Sequence, residues 1–247
     1  MFLYVLAHNY KNRTVNFNFI RSGETVSRYF SIVLRVVIQL GRHYLIQPET
    51  EMEGYEDEKW EWFQEYLGAL DGTHVNIHVL KDQGRYRNRK NEIATNVLGA
   101  CSRDVKFTYI LPGWEGSLAD SKVLRDALVR QDPLFPMVSK YFLVDASYTN
   151  GPSFLAPYRG VRNVNERTFG LFKKRWTILR DSSFFYVKTH VEIINACAIL
   201  HNLIRVEQPN DSYLAEVDVE LGKAQLEVVN HEDEIDDGDE IEDENKE

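Results

Sequence analysis

Cysteine is scarce in this chain of 247 residues, which contains only Cys101 and Cys197. The two lie far apart and form no CxxC pair, so the sequence excludes a disulfide-stabilised scaffold and a cysteine zinc site, and it fits a reducing compartment. No stretch of about 18 uncharged apolar residues is present, so we predict no transmembrane helix. The apolar opening, residues 1–7, has no basic residues before it, and we predict a buried helix there instead of a signal peptide.

Negative charge is abundant, with a formal net charge of −9, but it is concentrated in one segment. Residues 208–247 contain 16 acidic and 2 basic residues, whereas the first 207 contain 22 acidic and 27 basic ones, a formal charge of +5. A mildly basic body with an acidic tail favours a polyanionic partner such as nucleic acid, although a solvated basic surface explains the charge equally well. Residues 207–247 have too little apolar content to fold, and we predict that they are disordered.

Basic residues also cluster locally, and two clusters are candidates for contacting DNA. The first lies just after the predicted central strand, and the second surrounds a predicted helix in the last third of the chain. Their members are Arg85, Arg87, Arg89 and Lys90 in the first cluster, and Arg159, Arg162, Lys173, Lys174 and Arg175 in the second.

The N-terminal region, residues 1–47, is predicted to be helical. Ser22 is placed as an N-cap, with Glu24 in the first turn, where the helix dipole favours an acid. Apolar residues from Val26 to Ile38, including Tyr29, recur at helical spacing and predict one buried face. Two helices joined by a polar turn fit part of a helix-turn-helix, and they fit an ordinary helical hairpin as well. Residues 48–65 are acidic, contain Pro48 and Gly54, and are interpreted as a linker.

An acid interrupts the next apolar run, residues 66–79. Aspartate is depleted in strands, and a buried carboxylate needs a cationic partner, so Asp71 calls for an explanation. Asp71-Gly72 is also a common hairpin turn, which is the simpler interpretation. Residues 73–79 alternate in the pattern of a half-buried strand, with His74 and His78 on one face, but no further ligand spacing supports a zinc site.

The rest of the predicted domain, residues 66–206, contains three more acids beside predicted elements. Asp120 stands at the third position of a helix predicted to begin at Ser117, where a capping role is easy to justify. Asp145 follows a short buried strand, and Glu166 lies in the first turn of a helix. The predicted elements are strands at 93–101, 105–111 and 141–144, with Pro112-Gly113 ending the second, and helices from 117, over 163–179 and over 187–206.

This order predicts an RNase H-like α/β fold, a mixed sheet flanked by helices, whose first and fourth strands are neighbours. Asp71 and Asp145 would then lie side by side, with Glu166 brought against them by its helix. Two carboxylates about 4 Å apart repel by roughly 4 kcal/mol at an effective dielectric near 20, so such a cluster needs a cation. Oxygen-only ligands suit Mg²⁺ or Mn²⁺, and a two-ion site can cleave phosphodiesters. Asp120 is the alternative second acid.

Six motifs resemble Harbinger-type transposases and their domesticated nuclease-like relatives, particularly those of plants. The motifs occur in the family's order and span nearly the whole chain before the acidic tail. They are LGALDGTH (67–74), GWEGSLADS (113–121), YFLVDASY (141–148), FLAPYRG (154–160), NVNERTFGLFKKRW (163–176) and LHNLI (200–204).

The resemblance implies a DDE catalytic site at Asp71, Asp145 and Glu166, metal-dependent DNA cleavage, a nuclear location and a Myb-like accessory protein. It also assigns residues 21–30 to a helix-turn-helix, which adds Arg21 and Arg28 to the DNA-contacting candidates. Compared with the family, the N-terminal region is shortened, and the segment between Asp145 and Glu166 lacks internal residues. Two hypotheses follow: a metal-dependent endonuclease or transposase, or a domesticated factor that binds DNA or nuclear proteins without catalysis.

Overall fold

The computed structural model describes residues 1–45, 65–130, 134, 140–145, 148–151, 153–156 and 163–223. The predicted linker lies outside these residues except for Glu65. No helix among them is long and apolar enough to cross a membrane. The elements are α1 Phe2–His8, α2 Asn12–Phe19, α3 Gly23–Gln39, α4 Gly41–Tyr44, β1 Tyr66–Asn76, β2 Ala94–Cys101, β3 Phe107–Glu115, α5 Asp120–Val129, β4 Tyr141–Val144, β5 Phe154–Leu155, α6 Asn163–Arg175 and α7 Val187–Glu207, and α8 at 212–223.

The five strands form one mixed sheet in the order β3-β2-β1-β4-β5. The first three strands are an antiparallel meander, as the sequence predicts. β4 then returns to pair in parallel with β1, and β5 extends the sheet in parallel beyond it. Helices cover both faces, and β1 stands at the centre. The predicted RNase H-like α/β fold is confirmed.

β1 runs without interruption through the residues that could have formed a hairpin turn. Asp71 pairs with Gly99 and Gly72 with Leu98 in one continuous antiparallel ladder. The hairpin interpretation is therefore wrong. β3 is also longer than predicted, because a shift in register beside β2 lets it pass through Pro112 and continue to Glu115. A proline is tolerated there because β3 is an edge strand.

The alternation of side chains along β1 divides the core between the two faces of the sheet. Ala69 and Val75 point to the larger core, which contains the apolar faces of α3, α6 and α7. Leu70 points to the smaller one, which contains Val123 of α5, and Leu67 joins it because the pairing of β1 is irregular between Tyr66 and Gly68. Asp71, which follows Leu70, therefore lies on the α6 face of the sheet.

The N-terminal region contains four helices where the sequence predicts two. The predicted polar turn holds α2, because Asn9 and Ile20 adopt positive φ angles that end α1 and α2 separately. The predicted burial of α1 is confirmed by Phe2, Val5 and Leu6. The Ser22 cap is confirmed too: its hydroxyl accepts a hydrogen bond from the Thr25 amide at 3.1 Å.

One face of α3 packs against the sheet domain. Phe30 stacks on Phe185, just before α7, with ring centroids 5.0 Å apart, and Val26, Leu34 and Val37 are buried with it. Tyr29 is half exposed, contrary to the prediction. The buried face of α3 covers fewer positions than the apolar face that the sequence predicts. Residues 1–209 form one compact unit. The helix-turn-helix assignment stays a prediction.

The LHN motif of α7 ties the helix to the start of β3. The Asn202 carboxamide accepts a hydrogen bond from the Phe107 amide at 2.8 Å and donates to the Phe107 carbonyl at 2.6 Å and the Tyr44 carbonyl at 2.6 Å. The neighbouring His201 contacts the Val105 carbonyl through Nε2 at 2.7 Å. A side chain thus takes the place of a neighbouring strand at Phe107.

The C-terminal segment is not uniformly irregular. Residues 212–223 form α8, within the unit that begins at Asn210, so the predicted disorder is wrong for this part. The Asp211 side chain caps the helix by accepting a hydrogen bond from the Tyr213 amide at 3.0 Å, and residues such as Leu214 and Ala215 favour helix. Residues 224–247 of the predicted tail lie outside the described residues.

Replacing Asn202 by leucine, which has a similar size, should lower the free energy of unfolding by about 2–5 kcal/mol, because three buried polar groups lose their partner. Urea denaturation measures the change. Gln208→Ala, at the exposed end of the same helix, is the matched control and should stay within about 0.5 kcal/mol of wild type. Equal stability of the two variants would contradict a structural role for the motif.

Candidate active site

The candidate site lies where β4 stops pairing with β1. The parallel register ends at Leu70 and Val144, so the next residues in line are Asp71 and Asp145. Residues aligned on adjacent strands direct their side chains to the same face of a sheet. The register therefore supports the predicted adjacency of Asp71 and Asp145, both half-buried on the α6 face.

Helix α6 brings the third predicted acid to this face. Phe169 packs so closely on Gly99 that a Cβ at Gly99 would lie 2.8 Å from the Phe169 ring. Gly99 is the residue opposite Asp71 in the β1–β2 ladder. Glu166 is exposed and lies one turn before Phe169, so the absence of a side chain at Gly99 lets α6 carry Glu166 towards Asp71.

Asp71 experiences the combined field of the other acids. Its carboxylate accepts a hydrogen bond from the Gly72 amide at 2.7 Å, which stabilises the charged form. Burial opposes this most strongly, and the negative charges of Asp145, Asp120 and Glu166 add to it, so that the pKa of Asp71 is raised to about 6. The other three predicted acids are thus within electrostatic reach of Asp71 on the central strand.

Asp120 has a different role from the predicted helix cap. α5 begins at Asp120 itself, with Ala119 at the cap, so the capping-box interpretation is wrong. Its carboxylate accepts a hydrogen bond from the Asn96 side chain of β2 at 2.6 Å and occupies the space beside Gly72, 2.6 Å from where a Cβ would stand. Gly72 is needed for this close approach and not for a turn. Because Gly72 alternates with Asp71, Asp120 approaches from the α5 face.

Asn96 is a residue that the sequence reasoning missed. It is fully buried in β2 and orients Asp120, and its only sequence signal is a lone amide in an otherwise small and apolar strand. His74 contacts the Gly116 carbonyl through Nε2 at 3.1 Å, on the same side as Asp120.

The donor chemistry of the site fits a divalent cation. Besides burial, three neighbouring carboxylates raise the pKa of Asp71, and a hard cation with oxygen ligands would remove this repulsion. Among the described residues, however, no three acidic, histidine or cysteine side chains converge closely enough to hold an ion.

The first predicted basic cluster is divided between two environments. Arg89 and Lys90 line a cleft beside β1. Arg85 forms an ion pair with Glu115, and the Arg87 guanidinium donates to the Asn91 side chain at 2.8 Å. Arg89 and Lys90 are thus better placed than the other two to meet a ligand near the acids.

The second cluster is divided as well. Arg175 is buried, and its guanidinium donates to His201 Nδ1 at 3.0 Å, so its prediction as a DNA contact is wrong: the helical spacing turns it into the core. Burial and Arg175 lower the pKa of His201 to about 3, which keeps the ring neutral as an acceptor.

Lys173 lines the same cleft as Lys90. The other predicted contacts are Lys174, partly exposed on α6; Arg21 and Arg28, exposed near α3; and Arg159 and Arg162, outside the described residues.

Comparisons with known families agree with this architecture. Residues 70–165 match the family described as DDE superfamily endonuclease, and residues 150–213 match the family described as Plant transposon protein. Residues 1–39 match a domain of unknown function, DUF8040. Searches of curated proteins and of solved structures returned no match.

A mixed sheet in this strand order is consistent with an RNase H-like α/β fold, and the match to the DDE superfamily endonuclease family spans the β1–β4 junction where the acids lie. The two larger matches together support a plant DDE-type transposase-derived protein, which confirms the sequence resemblance at this level. The Harbinger-type assignment within that class stays a prediction.

Replacing Asp71 by asparagine should stabilise the metal-free protein at neutral pH. The folded-state pKa of Asp71, about 6, lies above its ordinary value of 3.8, so the folded state binds the proton more tightly and its stability falls as the pH rises between these values. We expect the variant to gain about 1–3 kcal/mol at pH 8 and almost nothing at pH 4. Denaturation in EDTA across this range measures the difference.

The control for this experiment is Asp181→Asn, an exposed acid outside the cluster. It should follow the wild-type stability at every pH. If Asp71→Asn is no more stable than wild type at pH 8, burial and the neighbouring carboxylates do not disfavour the charged form of Asp71 as the structure indicates.

Proposed function

We propose that this protein is a metal-dependent DNA endonuclease of transposase origin, with Asp71, Asp145 and Glu166 as its metal ligands. The observation that carries the proposal is the gathering of carboxylates around a half-buried Asp71 at the β1–β4 junction. Burial raises the pKa of Asp71 to about 6, and the charges of Asp145, Asp120 and Glu166 add to this rise. A structural role for such a cluster is unfavourable, because each added acid increases the repulsion.

The three ligands are carried by different kinds of element. Asp71 is fixed within the central strand and oriented by the Gly72 amide. Asp145 follows the end of β4, and its carbonyl accepts a hydrogen bond from the Tyr148 amide at 3.0 Å. Glu166 lies on the first turn of α6 and is the most exposed of the three. A bound divalent ion would supply an activated water and stabilise the leaving oxygen of a phosphodiester.

DNA is the proposed substrate, since the first 207 residues carry a formal charge of +5 and the matched families are an endonuclease and a transposon protein. The Harbinger-type resemblance extends the proposal to a nuclear location and a Myb-like accessory protein. Exposed Arg21 and Arg28 near α3 are proposed to contribute to DNA contact.

Cleavage of supercoiled plasmid with Mg²⁺ or Mn²⁺ tests this function. Wild type should nick the plasmid, and Asp71→Asn, Asp145→Asn and Glu166→Gln should each reduce the rate by roughly 100-fold or more, because each removes a carboxylate that would hold the divalent ion. EDTA should abolish the nicking.

Asp120→Asn keeps an oxygen that can accept the hydrogen bond from Asn96. Together with Asp145→Asn, it tests whether Asp145 or Asp120 is the second metal ligand. We expect it to retain nicking within about tenfold of wild type. Loss of nicking in Asp120→Asn together with its retention in Asp145→Asn would transfer the second position to Asp120. Equal nicking by all variants would reject the catalytic assignment and leave a factor that binds without catalysis.

A further inference from the structure

A polar cleft of about 450 Å³ runs beside the part of β1 that lies beyond β4. β4 pairs with β1 only up to Leu70, so within the described residues the stretch from Gly72 to His74 has no strand on that side. The cleft is lined there by Lys173 of α6, by Arg89 and Lys90, and by the residues leading into α5. It therefore begins next to the acid cluster and has cations along its wall.

Lys173 is a largely buried cation held by neutral groups. Its ammonium donates to the Thr73 hydroxyl at 2.7 Å and to the His74 carbonyl at 2.9 Å. Among the residues that the structure describes, no carboxylate lies within ion-pair distance of it. Burial lowers the pKa of Lys173 and the nearby charge of Lys90 lowers it further, while Glu92 only partly offsets this. A buried charge without a counter-ion is costly, so the cleft favours an anion.

The carboxylates in the cleft wall are already engaged. Asp120 accepts the hydrogen bond from Asn96, and Glu92 accepts one from the Asn88 side chain at 3.0 Å. Neither neutralises Lys173, and both have amide partners that hold them in place. The available cationic groups are therefore Lys173, Arg89 and Lys90, two of which are exposed and free to follow a bound group.

The spacing of the two charge clusters follows from their elements. On β1, Thr73 and His74 lie two and three residues beyond Asp71, about 7–10 Å along the strand. On α6, Lys173 lies seven residues beyond Glu166, two turns along the same face and about 10 Å away. Strand and helix thus place the acids at one end of the cleft and the cations at the other.

We propose that this cleft binds a backbone phosphate of a nucleic acid strand next to the phosphodiester held at the acid cluster, with Lys173, Lys90 and Arg89 as the phosphate-binding residues. The proposal rests on the proposed function, which supplies the strand. Lys173 serves as the fixed contact because it is anchored to β1, and Lys90 and Arg89 serve as adjustable ones.

The test measures binding without cleavage. In an Asp71→Asn background with EDTA, fluorescence anisotropy records the affinity of a labelled DNA duplex with a single-stranded end at several salt concentrations. Adding Lys173→Met or Lys90→Ala should weaken binding by about 3–30-fold. The slope of log affinity against log salt concentration should also fall in magnitude by about 1, as expected for the loss of one phosphate contact. Lys173→Arg should restore most of the affinity, since it keeps the charge.

Arg42→Ala, an exposed cation on the N-terminal helices, is the control and should leave affinity and slope nearly unchanged. Thermal unfolding of Lys173→Met checks that this variant is folded. If it is not folded, Lys90→Ala, which changes an exposed residue, replaces it in the binding experiment. Unchanged affinity and slope in Lys90→Ala and Lys173→Met would overturn the proposal. Stabilisation by inorganic phosphate that depends on Lys173, without any loss of DNA affinity in the variants, would overturn it as well, because the cleft would then hold a free anion.

Because binding is scored in a background that is not expected to cleave, failure of the nicking assay leaves this result interpretable. If the Lys173 and Lys90 variants bind DNA as tightly as the background protein while wild type nicks the plasmid, the cleft does not bind the DNA strand. The catalytic assignment is then unaffected.

Discussion

The parallel pairing of β4 with β1, and its end at Leu70 and Val144, is the constraint on which the site depends. It places Asp71 and Asp145 side by side at the point where the strands separate. Both carboxylates are only half-buried there, so water screens part of the repulsion between them. Beyond that point, no described strand pairs with β1 on the same side, and Lys173 and the cleft lie there.

Two glycines allow the acids to approach the central strand from both faces. Because Gly99 has no side chain, Phe169 packs directly on β2. This contact determines how closely α6 approaches the sheet, and so where Glu166 lies. Gly72 leaves the space that the Asp120 carboxylate occupies. A side chain at either position would force Phe169 or the Asp120 carboxylate to shift, so these glycines position the acids although they carry no chemistry themselves.

The sequence predicted the order and partners of β1 to β4 because apolar runs and the acids beside them follow one another in an informative order; it did not predict β5, which is only two residues long. It placed Asp71, Asp145 and Glu166 at the junction that the structure describes. It failed where the partner is remote in sequence. Asp120 fits a capping box locally, and only the fold shows Asn96 beside it. Arg175 ends a basic run, and only the packing of α6 on α7 shows that His201 receives its guanidinium.

Asn202 has a consequence for the outer edge of the sheet. β3 is an edge strand, and the amide and carbonyl of Phe107 are the groups through which a foreign strand would begin to pair. Both are occupied by one side chain of α7, which reproduces the hydrogen bonds of a strand without offering a further edge. A helix therefore blocks growth of the sheet at the beginning of β3, and β-strand addition from another molecule has no starting point there.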